Sequence, residues 1–121
     1  MAGIVSGNFE KADETRTPDK SKIDVLNLGN AKVARATFQP GWKWSECIKP
    51  VVGTDSCQAR HFGTVASGQI HVVHDDGAEA DFGPGDAYII EPGHDAWVVG
   101  DEPWVAYEFE SATAAEFAKG S

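Results

Sequence analysis

The sequence predicts an all-β barrel or sandwich, and three observations carry that reading. From Lys22 onward, short apolar–polar alternations replace a polar, irregular opening. Turn chemistry recurs between them at near-regular spacing: Gly29-Asn30, Pro40-Gly41, Ser67-Gly68, Asp75-Asp76-Gly77, Gly83-Pro84-Gly85-Asp86, Pro92-Gly93 and Gly100-Asp101-Glu102-Pro103. The chain's 121 residues suffice for one buried core but not two, and no internal repeat divides them.

Residues 1–21 read as an irregular arm with Ile4, Val5 and Phe9 as anchor points, closing on Thr17-Pro18-Asp19-Lys20-Ser21. Alternation then predicts strands over Ile23–Leu28, Lys32–Phe38, Trp42–Lys49, Ala59–Ala66, Gln69–His74, Ala78–Phe82, Ala87–Ile90, Ala96–Val99 and Trp104–Phe109. The alanine-rich end, with Ser111 or Thr113 as N-cap and Gly120 as stop, predicts a short C-terminal helix. The organisation expected is an arm (1–21), a barrel (22–110) and a helical tail (111–121).

Turn lengths suggest a register. If Ser67-Gly68 is a two-residue hairpin turn, Ala66 faces Gln69, Val65 faces Ile70 and His61 faces His74. If Asp75–Gly77 is the next turn, Val72 faces Ala80 and Ile70 faces Phe82. Opposed residues share a face. His61, Gly63, Val65, Ile70, Val72, His74, Ala78, Ala80 and Phe82 then form the coherently apolar, inward set. His71 falls on the other face with Glu79 and Asp81.

The net charge of −9 counts against nucleic acid and anionic membrane as partners, since neither phosphate surface is matched by a basic stripe. The first ten residues lack a cationic segment leading into an apolar one, and no apolar run approaches a membrane span, so a cytoplasmic location is expected. Cys47 and Cys57 are expected to be reduced thiols rather than a disulfide framework.

The segment Pro84-Gly85-Asp86-Ala87-Tyr88-Ile89-Ile90-Glu91-Pro92-Gly93 resembles the start of the second cupin motif, and Gly41 to Gly68 matches the frame of the first. The resemblance covers roughly residues 31–109. It implies a cupin barrel (a double-stranded β-helix, jelly-roll-like) and dioxygenase, isomerase or lyase chemistry at a divalent metal in the barrel mouth. Position by position, the histidine–glutamate site usual in the family falls on Cys47, Lys49, His61 and Ala96, while Glu91 replaces a motif proline.

Against that frame the metal candidates are His61, Cys47, His74 and His94, binding one divalent ion such as Zn, Fe, Ni or Mn. His61 points inward at a family ligand position, and Cys47 offers a thiolate. His74 faces His61 in the hairpin register, and His94 lies two residues before the vacant position at Ala96. The plainer alternatives are a hydrogen-bonded core histidine at 61, a wet loop-end histidine at 74, a turn histidine at 94 and a small core residue at 47. Lys49, Trp44, Tyr88 and Trp97 are candidates for a ligand pocket; Lys49 could equally be a rim charge paired with Glu46 or Asp55.

Three readings stay open: a metal-bearing small-molecule cupin, a metal-free ligand-binding or sensor module, and a homodimeric scaffold without catalysis. The first two share a small-molecule ligand.

Overall fold

The computed structural model describes residues 3–109; the expected C-terminal helix, and with it the tail boundary, lies outside the described residues. A 3-10 turn (Phe9–Lys11) leads into β1 (Glu14–Arg16), β2 (Ser21–Leu28) and β3 (Ala31–Phe38). Two single-turn helices follow, α1 (Trp44–Cys47) and α2 (Lys49–Val52). The rest is strand: β4 (His61–Ser67), β5 (Gln69–His74), β6 (Glu79–Phe82), β7 (Ala87–Ile90), β8 (His94–Val99) and β9 (Trp104–Phe109). They form two antiparallel sheets, β1-β2-β3-β9-β4-β7 and β6-β5-β8.

Between the sheets lies one core, built from alternate residues of each strand. Ala36 and Ala106, both fully buried, oppose one another across β3 and β9, so those strands leave room for the aromatic layer beside them. Phe38 stacks on Trp42 with centroids 3.9 Å apart and lies 5.4 Å from Trp104. The arm is less irregular than its composition suggests, because Glu14–Arg16 pairs with Ile23–Val25 as an edge strand. Phe9 alone of its expected anchors packs, with its ring 5.6 Å from that of Tyr107; Ile4 and Val5 are exposed.

Two expectations are corrected. The stretch Trp42–Lys49 is not a strand. Trp42, Trp44, Cys47 and Ile48 are the buried residues there, the last three at the i, i+3, i+4 spacing of a helical face. Asp95 Oδ1 accepts from the Ser45 N–H at the start of α1 (3.1 Å), Pro50 occupies the first turn of α2, and Gly53 at φ +78° ends it.

Nor do β4 and β5 form a hairpin. They are consecutive in sequence but belong to different sheets, and the chain crosses between them at Gly68. That residue has φ +80°, and a Cβ there would stand 2.6 Å from Trp104 Cα and against the Pro103 carbonyl, so only glycine fits. His61 therefore pairs with Ile90 of β7, not with His74. Side-chain parity survives the error: His61, Gly63 and Val65 still face inward, as do Ile70 and Val72. The β5–β6 register is the one the turn predicts, with Val72 opposite Ala80 and Ile70 opposite Phe82.

Candidate metal centre

Cys57, His61 and His94 are all buried, and one ligand atom from each lies within 4.8 Å of the other two. They arrive from three places. His61 opens β4 in the larger sheet, and His94 opens β8 in the smaller. Cys57 ends the long loop after α2, where its N–H donates to the His94 carbonyl (2.7 Å) and its carbonyl accepts from the Gly93 N–H (2.7 Å). The loop is fixed further by Ser56 Oγ, which donates to Asp75 Oδ2 at 2.7 Å.

The histidine rings sit edge to face, 5.1 Å apart. His61 Nδ1 is 3.0 Å from Glu108 Oε1, and Cys57 Sγ is 3.7 Å from His61 Nε2. Glu108 Oε2 in turn accepts from the Tyr88 hydroxyl at 2.7 Å. His94 Nδ1 lies 2.9 Å from the Glu91 carbonyl, an acceptor only, so Nδ1 carries the proton and Nε2 is left for a ligand.

Gly63 makes this arrangement fit. It pairs with Tyr88 on one side and Glu108 on the other, so the three share the inward face of β7, β4 and β9. A Cβ on Gly63 would meet the Tyr107 carbonyl, Glu108 Cγ at 2.8 Å and Tyr88 Oη at 3.0 Å. With hydrogen there instead, the Tyr88 hydroxyl and the Glu108 carboxylate can meet across the gap.

The electrostatics follow from the contacts. Burial disfavours the Cys57 thiolate, but hydrogen bonding to His61 and His94 outweighs it and brings the thiol down to about 6. Burial also disfavours the His61 imidazolium; the Glu108 charge and the Cys57 contact overcome this and raise it to about 10. Burial, then the Glu108 charge, pushes Tyr88 well above the ordinary phenol range, so it remains a donor. Metal-free, the centre is a thiolate–imidazolium–carboxylate line with a phenol at its end.

A cavity of about 30 Å³ adjoins these groups, walled by Phe38, Trp42, Trp44 and Trp104 together with Ile90 and Val72. It has room for a water molecule or a substrate oxygen.

The sequence candidates are distributed as follows. His61 and His94 come together; Cys47 and His74 do not join them. Cys47 sits on α1 with its thiol beside Asp19 and Lys20, and burial raises it towards the inert thiol form. Both ring nitrogens of His74 are engaged, Nδ1 accepting from the Asp76 N–H (3.1 Å) and Nε2 lying 2.9 Å from the Pro92 carbonyl. Among the pocket candidates, Trp44 lines the cavity and Tyr88 reaches it through Glu108. Lys49 is on the rim, 4.0 Å from Asp55. Trp97 points outward, with Lys43 Nζ over its ring and His71 beside it. Alternation on β8 puts Ala96 and Val98 inside and leaves Trp97 out.

Sequence reasoning missed Cys57 and Glu108. The loop 53–60 has no periodicity from which to assign Cys57 a direction. Glu108 was accessible, since it shares parity with Trp104 and Ala106 on a strand whose inward face is otherwise apolar.

No family model matches the chain, and no curated protein is significantly similar to it. Solved structures are similar in fold. A Rhizobium leguminosarum bv. viciae protein of unknown function shares 16% identity, covering 89% of this chain and 96% of its own, at a TM-score of 0.63. A sugar phosphate isomerase of the cupin superfamily from Silicibacter pomeroyi shares 20% identity, covering 84% and 72%, at 0.59. An RmlC-like cupin from Shewanella frigidimarina shares 17%, covering 88% and 92%, at 0.59. With two antiparallel sheets closed around one core and the turns at Pro40-Gly41 and Pro84-Gly85 in place, the chain has the cupin fold.

Proposed function

We propose that the chain holds one divalent metal ion on Cys57, His61 and His94, with Zn²⁺ first among the candidates, and acts on a small molecule through an oxygen atom. The observation that carries this is the partnering of the histidines. Each spends Nδ1 on an oxygen acceptor, Glu108 or the Glu91 carbonyl, and keeps Nε2 for the space shared with Cys57 Sγ.

A thiolate with two imidazoles suits Zn²⁺, and three protein ligands beside a small cavity leave a coordination position open, as catalytic sites do. When bound, such an ion supplies Lewis-acid polarisation of a substrate oxygen. That favours isomerase or lyase chemistry over an oxygenase, whose iron sites pair two histidines with a carboxylate. The chain's own residues supply the rest. Glu108 orients His61, Tyr88 holds Glu108, and the tryptophan and phenylalanine walls confine the oxygen's position to a small, largely apolar space.

A second reading has one observation in its favour. The in-line contacts from Cys57 through His61 to Glu108 are those of an activated thiol nucleophile. Burial weighs against it, because Cys57 is only 3% exposed and about 30 Å³ admits no carbonyl carbon with its substituents.

Metal analysis of the purified protein separates the two. We expect close to one ion per chain, retained in Cys47→Ser and lost in Cys57→Ser and His94→Ala. Absence of metal after exposure to Zn²⁺, Fe²⁺, Ni²⁺ and Mn²⁺, with rapid alkylation of Cys57, would favour the nucleophile.

A further inference from the structure

We infer that a slot between the two sheets receives the apolar body of an uncharged carbonyl compound, and that Trp42 and Trp104 recognise its oxygen. This rests on the metal reading only for the chemistry that follows binding. Strands β6 and β7 are each the last strand of their sheet, and they are not paired with one another. The gap between them is an open groove of about 280 Å³, close to the size of a small-ligand pocket. Its apolar walls are Val72, Ala78, Ala80, Phe82, Ile89 and Ile90, and small residues leave it open: Ala80 stands opposite the buried Val72, and both it and Ala78 are solvent-exposed. Val72 and Ile90 line both this slot and the cavity beside Cys57, His61 and His94, so the two spaces meet at those two side chains.

The lining decides the ligand's charge. Asp76, Glu79 and Glu91 border the slot together with His74, whose ring nitrogens are both engaged, while among the described residues no lysine or arginine does. Each carboxylate spends one oxygen on a neighbour: Glu91 on Arg60, Glu79 on His71 and Asp76 on the Ala78 N–H. The remaining acceptors and the overall charge of −9 oppose a carboxylate or phosphate.

At the inner end the requirement reverses. Trp42 and Trp104 line the small cavity, and their indole Nε1 atoms are the buried side-chain nitrogens without a partner among the described residues. Two unmatched donors call for an acceptor, which an ammonium group is not. An uncharged carbonyl compound with a ring-sized apolar body satisfies both ends.

The test uses the Zn²⁺-loaded protein, its indole N–H resonances assigned through tryptophan-to-phenylalanine variants. Acetophenone is compared with benzoate and benzylamine, the anion and cation of similar size. Acetophenone should move the Trp42 and Trp104 indole signals and the Ala80 and Ile89 amides, leave Trp97 in place, and bind more tightly than either ion. Ala80→Phe fills the slot from an exposed position and should weaken acetophenone about tenfold or more while keeping its metal. Benzoate or benzylamine binding as tightly, unmoved indole signals, or unchanged affinity in Ala80→Phe overturns the inference. The same shifts in Cys57→Ser would uphold the slot as independent of the ion, and the metal content of the wild-type protein judges the metal reading separately. A metal-replete protein that ignores acetophenone would overturn the slot and leave the metal reading standing.

Discussion

Cys57 concentrates the chemistry of the site because two histidines and a distant carboxylate act on one sulfur. In the metal-free protein its ultraviolet thiolate absorbance should titrate near 6, and a midpoint near the ordinary 9.0 would contradict the geometry. Cys47 should add nothing to that transition, since burial holds it as a thiol. The folded thiolate is favoured, so its contribution to stability is full above 9.0 and lost as pH falls through about 6. His61 has the opposite sign: its contribution is full below 6.5 and lost as pH rises through about 10. Both therefore act together only between those limits. Glu108→Gln removes the charge that holds the imidazolium, so the Cys57 midpoint should rise. The same change should cost about 3 kcal/mol in urea denaturation, as a broken buried pair does. An unchanged midpoint in both titration and denaturation would show that Glu108 is a bystander.

At the scale of elements, strands β4, β7 and β9 act as one template through Gly63. Gly63→Ala should cost roughly 3 kcal/mol, at the upper end for overpacking, because a methyl group would stand where Glu108 and Tyr88 meet. Its metal content should fall with it; wild-type stability and metal content would refute the template. Side-chain direction was legible in the sequence wherever a strand alternates, which is why His61 was placed inward and the β5–β6 register came out right. Which strands pair was not legible around Gly68, because a glycine at positive φ serves a two-residue hairpin and a crossing between sheets equally well. The helices were hidden for a similar reason. Trp42 and Trp44 alternate with polar residues over a span too short to distinguish a period of two from a helical face, and the buried Cys47 and Ile48 decide it. The ligand set suffered most, since Cys57 lies on a loop whose course depends on backbone bonds to Gly93 and His94, far along the chain.

For the molecule as a whole, the proposed centre joins the two sheets, His61 from the larger and His94 from the smaller. An ion there stabilises only the folded barrel. At a free concentration of a hundred times Kd the gain is about 2.7 kcal/mol, worth roughly 10 °C in melting temperature for a chain of this size. A chelator should reverse it, and identical melting in excess Zn²⁺ and excess chelator would count against a centre spanning the sheets. No helix among the described residues is long and apolar enough to cross a membrane.

The most direct measurement is a Co²⁺ titration of the metal-free protein followed by absorbance. The account predicts a thiolate-to-cobalt charge-transfer band that saturates at one ion per chain, persists in Cys47→Ser and vanishes in Cys57→Ser. A band that vanishes in Cys47→Ser instead, or no charge-transfer band at all, would contradict a centre built on Cys57, His61 and His94.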